Sequence, residues 1–162
     1  MSKHLLNPQG DFPAATLGRR LAAMFYDFLL CTALLIVTSG VYKMIQMAIL
    51  GEEKMRTLTE AGALDGDPLL STVLLFVLFG FFAKFWTWSG QTLGMQVWCI
   101  RVQNADGSSI SLWQALLRFV VSIASWLCVG LGFIWPLFDK QKRSWHDMYS
   151  NTQLVRIPKK TK

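Results

Sequence analysis

Three long apolar runs dominate an otherwise polar chain. The first extends from Leu21 to Tyr42 and holds one charge, Asp27; the second, Leu69 to Trp88, holds Lys84 near its end; the third, Phe119 to Phe138, holds none. Each approaches the ~20 residues that a helix needs to cross a hydrocarbon core about 30 Å thick. The pattern between the second and third runs is different. In Val97-Trp98-Cys99-Ile100-Arg101-Val102-Gln103, alternate residues Trp98, Ile100 and Val102 share one face, as in a short strand. Asn104-Ala105-Asp106-Gly107 signals a turn, after which Ser108 to Ser111 can return as a second strand or cap the next helix. The segment Thr152 to Ile157 alternates as well, and a lone hairpin is marginal, so this tail strand is expected to join it.

These elements predict an all-α integral membrane protein with a small cytoplasmic β element. Charge decides how the third run is placed. Residues 1–20 carry three basic groups, loop 43–68 carries three basic against five acidic groups, and residues 139–162 carry seven basic groups. Three full crossings with the N-terminus inside would leave ten of the sixteen Lys and Arg outside, which the positive-inside rule disfavours. A third run that enters and returns puts thirteen inside and three outside. Trp113 to Phe138, 26 residues, is too short for two spans, and Gly130-Leu131-Gly132 with Pro136 beyond offers a place to break it. The preferred reading is two transmembrane helices plus a broken or re-entrant helix, both termini cytoplasmic. The alternative is three full spans with the N-terminus outside. Pairing of the 97–103 and 152–157 segments would need both on one face of the membrane.

Composition narrows the class further. Apolar residues make up 52% and charged residues 16% of the 162, against about 25% charged in soluble chains. The net charge of +6 is concentrated beside a hydrophobic run, where it orients the chain or meets anionic headgroups rather than nucleic acid. Residues 1–16, broken by Asn7-Pro8 and Pro13, form no signal peptide and are expected to be a flexible cytoplasmic segment, the first apolar run being an uncleaved span. Cys31, Cys99 and Cys128 lie far apart in apolar sequence and frame no disulfide.

Asp27 is the residue with the most to explain. A carboxylate facing lipid at a helix centre costs roughly 2.5–3.5 kcal/mol, so it is expected to face the protein and have a partner. Arg20 lies seven residues earlier on nearly the same face, about 10 Å away, and is expected to snorkel to the headgroups. Arg118, at the mouth of the third run, is the expected partner of Asp27, with Arg101 and Arg143 as secondary candidates. Asp27 then either pins helices together or lies on an ion or proton pathway. His146-Asp147 lacks the further ligands a metal hydrolase needs, His4 being the other histidine; His146 can titrate near neutral pH or pack at the surface. No phosphate-binding loop, nucleophile elbow or zinc-protease motif occurs. The chain is thus expected to be no enzyme.

Several segments, in order, resemble the RDD family of bacterial membrane proteins, named for one arginine and two aspartates. Gly18-Arg19-Arg20-Leu21-Ala22-Ala23-Met24-Phe25-Tyr26-Asp27 looks like its first-helix motif, with Arg19 and Arg20 both available as the arginine. Gly90-Gln91-Thr92-Leu93-Gly94, Ile100-Arg101-Val102 and Asp106-Gly107 match the middle motif, and Leu116-Leu117-Arg118 the approach to the last hydrophobic run. Arg143-Ser144-Trp145-His146-Asp147, with Thr152 and Val155, is similar to the closing motif, although Asn151 stands where a small residue is commoner. The resemblance implies a membrane domain over 17–157, followed by a basic tail 158–162, in a bacterial inner membrane. It implies no known cofactor and no settled activity: some members are linked to cation/proton antiport, others to accessory roles in larger membrane systems. A charged network of Arg20, Asp27, Arg118 and Asp147, with Arg101, Arg143 and His146 around it, would then be structural or ion-coupling. The expected partners are membrane lipids and a membrane protein or a second copy.

Overall fold

The computed structural model describes residues 4–62 and 66–159. Lys3 and Asp65, counted above, and the last three residues of the basic tail lie outside them. The elements in chain order are α1 (Leu17–Leu50), α2 (Glu52–Glu60), α3 (Pro68–Trp88), α4 (Leu93–Val97), β1 (Ile100–Gln103), α5 (Leu112–Leu127), α6 (Leu131–Ile134) with a following 3₁₀ turn (Trp135–Leu137), α7 (Trp145–Tyr149) and β2 (Gln153–Arg156). The chain is mostly helical and has, among the described residues, two helices, α1 and α3, long and apolar enough to cross a membrane. The third hydrophobic segment is a broken pair: α5 and the α6–3₁₀ piece meet at 111°.

The break has a local cause. Val129 (φ 55°) and Gly130 (φ 78°) take left-handed backbone, which ends α5 at once. Gly132 then lets α6 fold back, since a Cβ there would collide with the Ser125 hydroxyl. At its other end α5 is started by a reciprocal cap: Gln114 N–H donates to Ser111 Oγ (3.2 Å) and Ser111 N–H to Gln114 Oε1 (2.9 Å). Ser111 therefore caps the helix, and the second strand comes from the tail. β1 and β2 pair antiparallel, with Ile100 opposite Arg156 and Gln103 opposite Gln153.

By contacts the chain divides into two compact units, Leu29–Gly80 and the remainder. In the first of these the predicted loop 43–68 is largely helical: α1 continues to Leu50, and α2 occupies Glu52–Glu60. At 34 residues, α1 rises about 51 Å, well beyond a hydrocarbon core. Asp67 starts α3 by accepting from Leu69 N–H (2.9 Å) and Leu70 N–H, and it also accepts from the Tyr42 hydroxyl (2.8 Å). The Tyr42 hydrogen bond holds the Asp67 carboxyl below its usual range.

The other unit contains the sheet, α4, α5–α7 and the polar start of α1. The buried core is small: Ile100, Val102, Ile110 and Ala115 are the most enclosed apolar side chains. Residues 4–16, expected to be flexible, instead lie along the sheet. Ser109 N–H donates to His4 O (2.8 Å), Ala15 N–H to Leu154 O (2.9 Å) and Arg156 N–H to Pro13 O (2.8 Å), and Leu6 and Ala15 are buried. A two-stranded sheet leaves edges open; Pro13 and Ala15 pair with that of β2, while His4 and Leu6 pair with the 107–109 turn.

Candidate functional site

The buried positions of α1 are Arg20, Ala23 and Asp27, spaced three and four apart on one helical stripe. The apolar residues around them, among them Phe25, Phe28 and Leu29, are exposed. A water-soluble helix shows the reverse arrangement; polar stripe inward and apolar surface outward suits lipid.

Asp147 is the centre of the charged cluster. It is 0% exposed and receives two guanidinium groups, Arg20 Nη1 on Oδ2 and Arg118 Nη1 on Oδ1, each at 2.7 Å. Ser144 adds its N–H (3.1 Å) and hydroxyl (2.7 Å) to Oδ2, which makes the same carboxylate the cap of α7. Each arginine is held elsewhere too. Arg20 donates to the carbonyls of Ala15 (3.1 Å) and Lys142 (2.8 Å). Arg118 donates to the Thr152 hydroxyl, and its guanidinium lies over the Trp86 ring at 5.4 Å. One aspartate thus joins α1, α5 and α7. Burial alone would raise its pKa, but Arg118 and Arg20 outweigh that and hold Asp147 ionised far below the usual carboxylate range.

Asp27 is placed differently from the sequence expectation. Arg118 does not reach it, and among the described residues no salt bridge does. Its carboxylate, 6% exposed, accepts instead from the Thr92 hydroxyl on Oδ2 (2.5 Å) and from Gly94 N–H on Oδ1 (2.9 Å). Thr92 is the N-cap of α4, so Asp27 meets the positive end of that short helix's first turn. The approach is close enough to require glycine. A Cβ on Gly94 would strike the Ala23 carbonyl oxygen and lie 2.9 Å from Asp27 Oδ1.

The remaining candidates sit apart. Arg20, expected at the headgroups, is buried with Asp147, while its neighbour Arg19 points elsewhere and donates to Trp98 O (2.8 Å). Arg101 binds Gln103 Oε1 (2.9 and 2.6 Å) and Pro8 O (3.0 Å) at the sheet. Arg143 pairs with Asp139 at 3.2 Å. His146 lies beside the cluster, its Nε2 2.8 Å from Ser144 Oγ and its ring against Phe133. Burial pushes its pKa down to about 3, so it is neutral at physiological pH; of its two expected roles, near-neutral titration falls away and packing against Phe133 is what the structure has. Thr92, Gly94, Ser144 and Thr152 were not singled out from sequence as partners. Ser144-x-x-Asp147 has a capping-box spacing and could have been found that way; Thr92 and Gly94 need the fold. Among the described residues no group of three or more His, Cys, Asp or Glu could hold a metal ion.

Apolar helices around an inward-facing charged stripe define a membrane protein built on a buried arginine–aspartate lattice. The RDD family model matches residues 14–151. The chain belongs to the RDD family. No curated protein and no solved structure matches it significantly.

Proposed function

We propose that this RDD-family protein is an accessory or assembly component of a bacterial inner-membrane system, without enzymatic activity, in which the charged residues hold the membrane domain together. The observation that carries this reading is the fully engaged Asp147, clamped between Arg20 and Arg118 with no exposed surface. A buried carboxylate ionised by two arginines is a poor shuttle: releasing either arginine leaves an uncompensated charge, at a cost of about 3–5 kcal/mol. Its partners are membrane lipids and a membrane protein or a second copy of the chain, not nucleic acid. Both termini face the cytoplasm and the third hydrophobic segment returns to its own side. Support for this comes from the 111° bend and from the pairing of β1 with β2, which flank that segment in sequence.

Asp27 gives a second reading a specific footing. It is a buried carboxyl held by a hydroxyl and an amide and, among the described residues, by no cation, so a cation or proton could be its missing counter-charge, as a small oligomeric cation/proton-coupled transporter requires. Asp27→Asn separates the two. The assembly reading expects lowered abundance or lost co-purification of a membrane partner, and no ion movement by wild-type protein in liposomes under any imposed gradient. Gradient-driven flux by the wild type, abolished in an Asp27→Asn protein of normal abundance, would replace assembly by transport.

A further inference from the structure

Arg19 leaves the buried stripe that Arg20 joins and lines an open groove of about 520 Å³ on the unit that holds the sheet. Arg156, at the end of β2, and Lys159 line the same groove, whereas none of the described residues lining it is acidic. Trp98 and Val97, at the end of α4, supply its apolar wall. Three cations from two distant stretches of sequence converge there, and they are differently prepared. Arg19 is fixed through one nitrogen, Nη1, to Trp98 O at 2.8 Å, which orients the guanidinium while leaving donors over. Arg156 and Lys159 are exposed.

The surroundings limit what can bind. Arg19 lies in the first turn of α1, a helix apolar enough to span a membrane, so the groove lies where a span emerges into the headgroup layer. Trp98 packs edge-on against Tyr26, ring centres 6.4 Å apart, the aromatic pairing typical of that layer. Leu93 and Val97, one helical turn apart on α4, are exposed beside it. A free anion would use the cations and gain nothing from that apolar shoulder. A phospholipid uses both, phosphate on the guanidinium groups and acyl chain along α4. We propose that this groove is a binding site for the headgroup of an anionic phospholipid. The proposal does not depend on whether Asp27 serves assembly or transport.

The test uses the full chain in a zwitterionic detergent, with native mass spectrometry counting bound dimyristoyl phosphatidylglycerol or dimyristoyl phosphatidylcholine. Phosphatidylglycerol should be retained at least about tenfold more tightly, as two to three juxtamembrane cations each contribute roughly fivefold. Arg156→Gln with Lys159→Gln should weaken it about thirtyfold on the same scale, and Lys159→Gln alone, beyond the last strand, about fivefold. Lys54→Gln with Arg56→Gln removes equal charge from exposed positions of α2 and should change nothing. Excess inorganic phosphate should fail to displace the lipid. Equal retention of the two lipids, groove variants that bind like wild type, or an α2 variant that weakens binding equally would overturn the site. Displacement by phosphate would overturn the lipid as its occupant and leave a simple anion site.

Discussion

The two aspartates that face inward are satisfied in opposite ways, and their substitutions should diverge. Asp147→Asn removes the one negative charge shared by two buried arginines. It should destabilise the protein by about 3–5 kcal/mol, seen as a large fall in melting temperature in detergent and in membrane abundance. Asp27→Asn keeps a side-chain oxygen for Gly94 N–H and loses no ion pair, so the loss should be about 1–2 kcal/mol. Equal losses for both would show that the carboxylates are not distinguished as the structure has them. Gly94→Ala should cost more than Asp27→Asn, because its methyl group must displace backbone of α1 as well as the carboxylate. The imidazole beside the cluster adds a pH dependence. His146 is held neutral down to about 3 from an ordinary 6.5, so the unfolded chain binds a proton in that window and the folded chain does not. Stability should be full above pH 6.5 and fall as pH drops through the window, by about 1.4 kcal/mol per unit. Asp147, its pKa depressed, withdraws stability only below the ordinary carboxylate range. Melting followed from pH 6.5 to 4.5 should show that slope, and His146→Gln should flatten it.

At the scale of elements, the broken third segment carries backbone strain at one β-branched residue. Val129, β-branched and 90% exposed, is held at φ 55° between Cys128 and Gly130, a backbone region that costs a non-glycine residue of order 1–3 kcal/mol. Val129→Gly should therefore raise the melting temperature, whereas Gly132→Ala, with Ser125 in its way, should lower it. A Val129→Gly protein less stable than wild type would mean that the exposed valine contributes more through lipid contact than it loses in strain. The runs themselves were legible from hydropathy, as was the break, because Gly130, Gly132 and Pro136 interrupt a segment too short to cross twice. The strand pairing was legible from alternation. The ion-pair partners were not. Helical spacing puts Arg20 and Asp27 on one stripe, but it cannot say that α7 approaches Arg20 and α4 approaches Asp27. Nor could polarity alone show that residues 13–15 would pair with the open edge of β2 and residues 4–6 with the 107–109 turn, a matter of pairing unmet backbone groups and not of side-chain character. Loop 43–68 read as a connection through its glycines and charges, yet Glu52–Glu60 forms a helix, with acidic residues in its first turn and an Arg56–Glu60 pair one turn apart.

For the whole molecule the decisive question is the parity of the chain across the bilayer, and the sheet constrains it. β1 precedes the third hydrophobic segment and β2 follows it, yet Arg101 pairs with Val155 and Val102 with Leu154. Backbone pairing across a membrane is impossible, since irregular backbone in hydrocarbon leaves donors and acceptors unmet. On the proposed topology, a segment whose two flanks pair starts and finishes on one side. The same sheet takes Pro13 and Ala15 from before α1; in that proposal the N-terminal segment shares the side, and α1 and α3 make one outward and one return crossing. In a background lacking Cys31, Cys99 and Cys128, single cysteines at Asp11 and Lys159 should react with a membrane-impermeant maleimide only from the cytoplasmic face, and one at Glu53 only from the other. Labelling at positions 11 and 159 from opposite faces would require three full crossings and would dissolve the pairing of β1 with β2 in the membrane-embedded protein. Labelling of both on the outer face would keep the pairing and reverse the orientation, placing the seven basic residues of 139–162 against the positive-inside rule.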